Sequence, residues 1–150
     1  MCFCWATRTW IPILAAWIAE LLRFQLLASQ QSLTFETVMS HPSKLEFLRE
    51  ARLAGYRTYL YFVATADPAI NTARVAVRVA KGGHSVAQDK IVARYHRSLS
   101  LLRPALKLTD RAYIFDNSGT EPVLVAEVTN GKEVTFKTAQ VLNWVNEAIG

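Results

Sequence analysis

Four arginines lie at helical spacing in the middle of the chain. Arg74 and Arg78 are four residues apart, and Arg94 and Arg97 are three apart, so each pair shares one face of its helix. Lys81–His84 joins the two pairs and contains two glycines that could serve as a hinge. Guanidinium groups stay charged and bind phosphate oxygens in a fork. The pattern predicts either a lid that closes on phosphates or two solvated helix faces, and spacing alone favours the second.

A carboxylate and a hydroxyl occur together at Glu36 and Thr37. They come at the end of a predicted strand, Ser32–Glu36, and open α/β sheets commonly bind ligands where strands end. The Glu36 carboxylate could accept hydrogen bonds from a substrate hydroxyl or amide. A solvent-exposed glutamate at a strand end explains the same residues equally well.

Polar residues also end the predicted strand Arg111–Asp116. Asp116-Asn117-Ser118 is a candidate ligand-binding segment, but Asn-Ser-Gly is common turn chemistry, and the residues alone favour a turn. His84 follows two glycines and is more typical of a loop or cap residue than of a catalyst. No spacing of histidines and cysteines indicates a metal site.

The familiar nucleotide-binding motifs do not occur in the 150 residues. A phosphate-binding P-loop would read G-x-x-x-x-G-K-[ST] after a strand. Gly131-Lys132 has no glycine five positions before it, and Glu133 stands where Ser or Thr is required. Neither G-x-G-x-x-G nor the nucleophile elbow of a Ser-His-Asp hydrolase occurs, although composition leaves such a triad open.

Hydrophobic patterning predicts an alternation of helices and strands. Trp10–Leu27 carries an apolar stripe at helical spacing, and Tyr56–Ala64 is nearly continuous in apolar residues, as in a strand buried on both faces of a parallel sheet. The other predicted elements are helices at 43–55, 68–80 and 85–102, strands at 32–36, 111–116, 123–128 and 133–136, and a last helix after Thr138 that presents Val141, Trp144, Val145 and Ala148 on one face. This order predicts one α/β domain with a parallel sheet over residues 1–150.

Cap and turn signals set the expected ends of these elements. The signals are capping boxes at Ser43–Glu46 and Ser85–Gln88, an Asp67 N-cap before Pro68, a Gly55 C-terminal stop, a bend or restart at Pro104, a hairpin turn at Asn130-Gly131 and a Thr138 cap.

The net charge of +5 and the pI near 9.5 would suit a polyanionic partner. Seven of the lysines and arginines lie between Arg74 and Arg103, so the excess is local. No RNA- or DNA-binding signature accompanies it, and we therefore expect no nucleic-acid partner. Phosphate on a small molecule explains the cations as well.

The first thirty residues carry the remaining signals. Cys2 and Cys4 have no partner for a disulfide framework, which favours a reduced, cytoplasmic setting. Glu20, Arg23 and Gln25 interrupt the apolar run, whose unbroken part is shorter than the roughly 20 residues of a transmembrane helix. We predict a buried or half-buried helix and no membrane partner; the alternative is a basic peripheral membrane protein anchored by this helix.

Several short motifs occur in a fixed order and spacing between about Ala15 and about Ala126. They are Phe35-Glu36-Thr37, Gly55-Tyr56, Arg74-Val75 through Arg78-Val79, Gly82-Gly83-His84, Arg94-Tyr95, Arg97-Ser98-Leu99, Asp110-Arg111-Ala112 and Asp116-Asn117-Ser118. This series resembles the zeta-toxin-like P-loop kinases, which are also described as predicted ABC-type ATPases. The resemblance implies a three-layer parallel sheet with helices on both faces, followed here by a C-terminal hairpin and helix.

The resemblance also implies roles for individual residues. Members of the family use ATP and Mg²⁺ to phosphorylate a small-molecule hydroxyl, which in the zeta toxins belongs to a UDP-activated N-acetyl amino sugar. By position, Glu36, Thr37 and His84 correspond to the acceptor region, and Asp116, Asn117 and Ser118 to the region near the nucleotide. Arg78 is the better match to a catalytic lid arginine, with Arg74 as its alternate and Arg94 and Arg97 as further phosphate contacts.

The chain departs from the family at its beginning. The family's first strand, Walker A loop and following aspartate are not found, so residues 1–10 are expected to be an unrelated or disordered leader before a partial kinase domain at 11–150. We expect a kinase domain that is inactive or impaired in this form. The alternative is a non-catalytic module that binds a nucleotide or sugar nucleotide, as a regulator or with an antitoxin-like protein partner.

Overall fold

The computed structural model describes residues 10–149, with side chains in the first helix from Leu14 onward. These residues form helices α1 Trp10–Ala28, α2 Ser43–Leu53, α3 Pro68–Ala80, α4 Gln88–Leu106 and α5 Asn143–Ile149, and strands β1 Tyr59–Ala64, β2 Arg111–Asp116, β3 Val123–Thr129 and β4 Glu133–Phe136. Cys2, Cys4 and nearly all of the expected leader lie outside the described residues.

The chain divides into two compact units, Met1–Glu36 and Thr37–Gly150. A single domain over residues 1–150 stays a prediction. In the described part of the first unit, α1 is followed by an irregular segment, where the Arg23 guanidinium lies 5.0 Å from the centre of the Phe35 ring. None of the described helices is long and apolar enough to cross a membrane.

The prediction that the N-terminal helix is buried or half-buried is wrong for most of its apolar stripe. Leu14, Trp17 and Leu21 are 57%, 68% and 59% exposed. The helical spacing of the stripe is confirmed, because Trp10–Ala28 forms α1. Among the described residues of its unit α1 is the one helix, so that unit provides no second helix to cover the stripe.

The predicted strand Ser32–Glu36 is also wrong, because residues 31–40 are irregular. A strand requires a neighbour for its backbone hydrogen bonds. No strand in the described chain pairs with this segment.

The α/β class is confirmed, and the sheet is mixed rather than wholly parallel. Its strand order is β1-β2-β3-β4, with β1 parallel to β2 and the other pairs antiparallel. The predicted hairpin turn is confirmed, since Asn130 (φ 52°) and Gly131 (φ 65°) both adopt the positive φ that a tight hairpin turn requires. The three-layer arrangement stays a prediction.

The core of the second unit lies on one face of this sheet. Leu102 of α4, Ile114 of β2 and Val145 of α5 are completely buried and belong to one hydrophobic cluster. In β1, Phe62 joins that cluster, but its neighbour Tyr61 is 66% exposed and stacks on Tyr113 with 5.0 Å between ring centres. The prediction of a β1 buried on both faces is therefore wrong: side chains alternate along the strand, and the core helices pack on the Phe62 side.

Two helix ends agree with their sequence signals. The Asp67 carboxylate accepts a hydrogen bond from the Ala69 N–H at 2.7 Å, and Pro68 is the first residue of α3. Gly55 follows α2 with φ 81°, the left-handed conformation of a helix C-terminal stop. The last helix has Trp144, Val145 and Ala148 buried on one face, as predicted, but Val141, which was predicted to share that face, precedes the helix.

Three other predicted caps are wrong. Ser43 is the first residue of α2 rather than its cap, because Pro42 (φ −56°) already has helical geometry and precedes it. Ala87, not Ser85, precedes α4. The Thr138 hydroxyl donates to the Gln140 carbonyl at 3.1 Å, well before α5 begins. Pro104 lies within α4, which continues to Leu106.

Candidate functional site

The carboxyl ends of β1 and β2 lie side by side, and the predicted Asp116-Asn117-Ser118 segment begins there. The two strands are parallel, and Ala64 is paired with Asp116 at their ends. The Asn117 N–H extends the pairing by donating to the Ala64 carbonyl at 2.7 Å. In parallel sheets this edge commonly binds ligands, so the arrangement provides a location for a site.

The predicted segment Asp116-Asn117-Ser118 forms a hydrogen-bonded turn at this edge. The Ser118 hydroxyl donates to Asp116 Oδ1 at 2.7 Å and accepts from the Ala66 N–H at 2.7 Å. Trp144 Nε1 donates to the same Asp116 oxygen at 3.3 Å. The half-buried carboxylate therefore holds the turn, the end of β1 and helix α5 in fixed relation.

A second polar group follows β1 directly. Thr65 is 3% exposed, and its hydroxyl donates to the Asp67 carbonyl at 3.1 Å and accepts from Asn71 Nδ2 at 2.9 Å. The Tyr95 hydroxyl donates to the Thr65 carbonyl at 2.9 Å. These bonds connect the end of β1 with both α3 and α4.

Tyr95 is kept protonated by its surroundings. Burial raises the pKa of Tyr95 above its ordinary value, and the nearby carboxylates of Asp67, Asp116 and Glu147 raise it further because they would repel a tyrosinate. The hydroxyl is thus a hydrogen-bond donor at neutral pH and holds α4 to the strand end.

The first arginine pair extends from α3 to two different loops. Arg74 Nη2 donates to the Gly119 carbonyl at 2.9 Å, directly after the Ser118 turn. Arg78 Nη2 donates to the His84 carbonyl at 3.2 Å, in the loop that leads to α4. Both side chains are exposed, and one hydrogen bond uses one of the five N–H donors of a guanidinium. The structure therefore brings Arg74, rather than Arg78, to the strand-end turn.

The second arginine pair lies on the exposed surface of α4. Arg94 and Arg97 flank Tyr95, whose side chain points to the strand end. In the glycine loop before α4, Gly83 is closely packed, since a Cβ there would lie 2.7 Å from Arg78 Cγ, whereas Gly82 has no atom within 4 Å of such a Cβ. Movement about this loop stays a prediction.

Glu36 and Thr37 are not at a strand end, because the predicted strand does not form. Glu36 is exposed and ends the first unit, and Thr37 begins the second. The described contact of the Thr37 hydroxyl is local, since it accepts from the Met39 N–H at 3.3 Å. A substrate-binding role for these two residues stays a prediction.

Sequence reasoning did not select Thr65, Asn71, Tyr95 or Trp144 as site residues. Tyr95 belongs to the Arg94-Tyr95 motif, in which Arg94 was the predicted site residue. The remaining three have no local signal beyond position, since Thr65 follows a strand and Trp144 lies on an apolar helix face. Their contacts with the strand ends depend on tertiary structure.

The side chains at and near the carboxyl ends of β1 and β2 are better suited to bind phosphate than a metal ion. Three or more His, Cys, Asp or Glu side chains do not cluster around a common point anywhere in the described chain. The Asp116 carboxylate already accepts several protein hydrogen bonds. Arg74 and Arg78 provide the fixed positive charge and forked donors that phosphate oxygens bind.

Comparison with known protein families identifies a match. The zeta toxin family model covers residues 12–127, well over half of the chain. No curated protein and no solved structure matches significantly. The chain therefore belongs to the zeta toxin family, which indicates a P-loop-kinase-like, nucleotide-binding function.

Proposed function

We propose that this chain binds the phosphates of ATP or of a sugar nucleotide at the carboxyl ends of β1 and β2. The observation that carries the proposal is the Arg74 guanidinium, which lies 2.9 Å from the carbonyl of Gly119, beside the Asp116–Ser118 turn. This places a permanent cation at the sheet edge where α/β domains bind ligands. Family membership supports the choice of a nucleotide.

The proposed reaction of the family domain is phosphoryl transfer from ATP to a hydroxyl group. The hydroxyl oxygen forms a bond to the γ-phosphorus, the bond from that phosphorus to the bridging oxygen breaks, ADP leaves, and the hydroxyl proton passes to a base or to solvent. Positioning and charge neutralisation provide most of the catalysis of such transfers. Arg74 and Arg78, with Arg94 and Arg97 at longer range, would neutralise phosphate charge.

We further propose that this form of the domain transfers phosphate slowly or not at all. The backbone N–H groups and lysine of a G-x-x-x-x-G-K-[ST] loop hold the β- and γ-phosphates in P-loop enzymes, and the 150 residues do not contain that motif. The arginines alone can bind phosphate without fixing it for in-line attack. A hydroxyl of a UDP-amino sugar is the proposed acceptor, and a module that only binds nucleotides is the second candidate function.

Titration calorimetry with Mg-ATP and with UDP-N-acetylglucosamine tests the binding site. We expect Arg74→Ala to weaken binding at least about tenfold, because one charge-assisted hydrogen bond contributes about 1.5–3 kcal/mol. Arg57→Ala is the matched control, since Arg57 is exposed at the opposite end of β1 and should leave affinity unchanged. Equal affinities of the wild type and Arg74→Ala for both ligands would refute the location of the site.

An assay for ADP release tests the proposed impairment. A mass-verified chain with Mg-ATP and UDP-N-acetylglucosamine should release ADP no faster than the Arg74→Ala/Arg78→Ala variant. Release that is clearly faster, and that the double variant abolishes, would refute the proposed impairment and identify an active kinase.

A further inference from the structure

Two adjacent cavities lie at the end of α4, near the amino end of β2 and away from the strand-end site. The first, of about 210 Å³, lies between α4 and the β3–β4 hairpin, and the second, of about 300 Å³, lies between α2 and α4. Arg103 and Lys107 line both cavities and separate them. We call this region the Arg103 surface.

The Arg103 surface is strongly basic. Arg49 completes the cations of the second cavity and Lys132 those of the first, and no carboxylate is among the described residues that line either one. The ion pair found in the described chain, Lys137–Glu127 at 3.3 Å, involves none of these four cations. The α4 C-terminus offsets only about half of one positive charge, so the residues that line the two cavities carry a net positive charge.

Aliphatic side chains line part of each cavity. Val128, Val134 and Ile149 line the first, and Leu45, Pro104 and Leu108 line the second. Each volume is several times the roughly 30 Å³ of a water molecule and lies at or below the lower limit of about 300 Å³ for typical small-molecule sites. The cavities are therefore large enough for apolar side chains and small for a cofactor.

Tight contacts keep the two cavities in place. The hairpin turn touches the helix end so closely that a Cβ on Gly131 would lie 2.6 Å from the Leu106 carbonyl oxygen. On the other side, Arg52 Nη1 of α2 donates to the Lys107 carbonyl at 3.0 Å. The walls on both sides of α4 are therefore fixed before any ligand arrives, which lowers the entropic cost of binding.

We propose that the Arg103 surface binds an acidic segment of a partner protein through apolar anchor residues. Two cavities that combine aliphatic side chains with shared cations match a segment in which apolar side chains alternate with carboxylates. A nucleic acid would match the charge but not the cavities, because single-stranded bases stack on aromatic rings and no lining residue is aromatic. The proposal is independent of nucleotide binding at the other end of β2.

Fluorescence anisotropy with the full chain tests the proposal. The probe is a labelled 12-residue peptide in which Glu and Leu alternate, and the comparison probes are the same peptide with every Leu replaced by Asn and a 12-nucleotide oligothymidylate. We expect the Leu peptide to bind at least about tenfold more tightly than the Asn peptide and more tightly than the oligonucleotide.

Charge reversal locates the binding. Arg103→Glu/Lys107→Glu should weaken binding of the Leu peptide about tenfold or more, because two attractive contacts become repulsive. Lys81→Glu/Lys90→Glu is the matched control, since both residues are exposed and the net charge changes by the same amount; it should weaken binding less than about threefold. If Arg103→Glu/Lys107→Glu melts at a lower temperature than the wild type, Arg103→Gln/Lys107→Gln replaces it in the test, with a smaller expected loss of affinity for the Leu peptide.

Four results would overturn the proposal. They are no binding of the Leu peptide, equal binding of the Asn peptide, tighter binding of the oligonucleotide, and equal losses in the Arg103→Glu/Lys107→Glu and Lys81→Glu/Lys90→Glu variants. Equal binding of the Asn peptide would show that the surface is a basic patch without selectivity for apolar side chains. Tighter binding of the oligonucleotide would identify it as a nucleic-acid-binding surface.

Discussion

Replacing Ser118 by alanine tests whether the strand-end turn holds the second unit together. The Ser118 hydroxyl makes two hydrogen bonds of 2.7 Å, one to the Asp116 carboxylate and one from the Ala66 N–H. A bond to a charged group contributes about 1.5–3 kcal/mol and a neutral bond about 0.5–1.5 kcal/mol. Because the groups are partly exposed and water replaces some of the lost bonding, the lower ends apply, and we expect Ser118→Ala to cost about 2 kcal/mol.

Urea unfolding followed by far-ultraviolet circular dichroism measures this loss. The midpoint should fall with an unchanged m-value, and the melting temperature should fall by about 4–8 °C. Ser100→Ala is the matched control, because the exposed Ser100 hydroxyl donates only to the Arg97 carbonyl of its own helix at 2.9 Å. It should change stability by less than about 0.5 kcal/mol. A loss at Ser118 no larger than at Ser100 would show that the turn does not connect the two strand ends.

Two further variants test other contacts of the second unit. Gly131→Ala should lower the free energy of unfolding by about 2 kcal/mol or more, because the positive φ and the Cβ contact of 2.6 Å with the Leu106 carbonyl both oppose it. Gly119→Ala is the control, since nothing lies within 4 Å of a Cβ there, and it should be nearly neutral in the same melt. Equal effects of the two variants would contradict the packing of the hairpin turn on α4. Tyr95→Phe should cost about 1 kcal/mol at pH 7 by losing its bond to Thr65. The pKa of Tyr95 is raised in the folded state. The contribution of the Tyr95 hydroxyl to stability is therefore complete below about pH 10 and is lost as pH rises through the folded pKa. The wild type should lose more stability than Tyr95→Phe between pH 9 and pH 11, and equal losses in the two proteins would argue against the raised pKa.

Local signals predicted the parts of the fold that local chemistry determines. Asp67 caps α3 because its carboxylate reaches an N–H two residues away, and Asn130-Gly131 turns the chain because both residues accept positive φ. The prediction of a strand at Ser32–Glu36 was wrong because a strand depends on a non-local partner: it forms only where a neighbouring strand pairs with its backbone hydrogen-bonding groups. The Ser43 cap failed because Pro42 already has helical geometry.

The candidate site divides in the same way. The Asp116–Ser118 turn could be predicted, because its bonds join residues two positions apart. The Tyr95–Thr65 and Trp144–Asp116 bonds join residues 30 and 28 positions apart, and no spacing in the sequence specifies them. The approach of Arg74 to the turn is likewise tertiary, which is why position within a family motif favoured Arg78 instead.

The charges at the strand ends restrict how a nucleotide could bind there. Asp116 is an acceptor whose Oδ1 already takes hydrogen bonds from Ser118 and Trp144, and a second anion beside it would be repelled. Phosphate oxygens should therefore lie towards Arg74, on the α3 side of the turn, and a group that donates hydrogen bonds, such as a ribose hydroxyl or a base amino group, should face the carboxylate. Arg74→Ala and Asp116→Asn should therefore affect the binding of different parts of the ligand. Arg74→Ala should weaken the binding of ATP more than that of adenosine. The change in affinity caused by Asp116→Asn should not increase with the number of phosphates on the ligand.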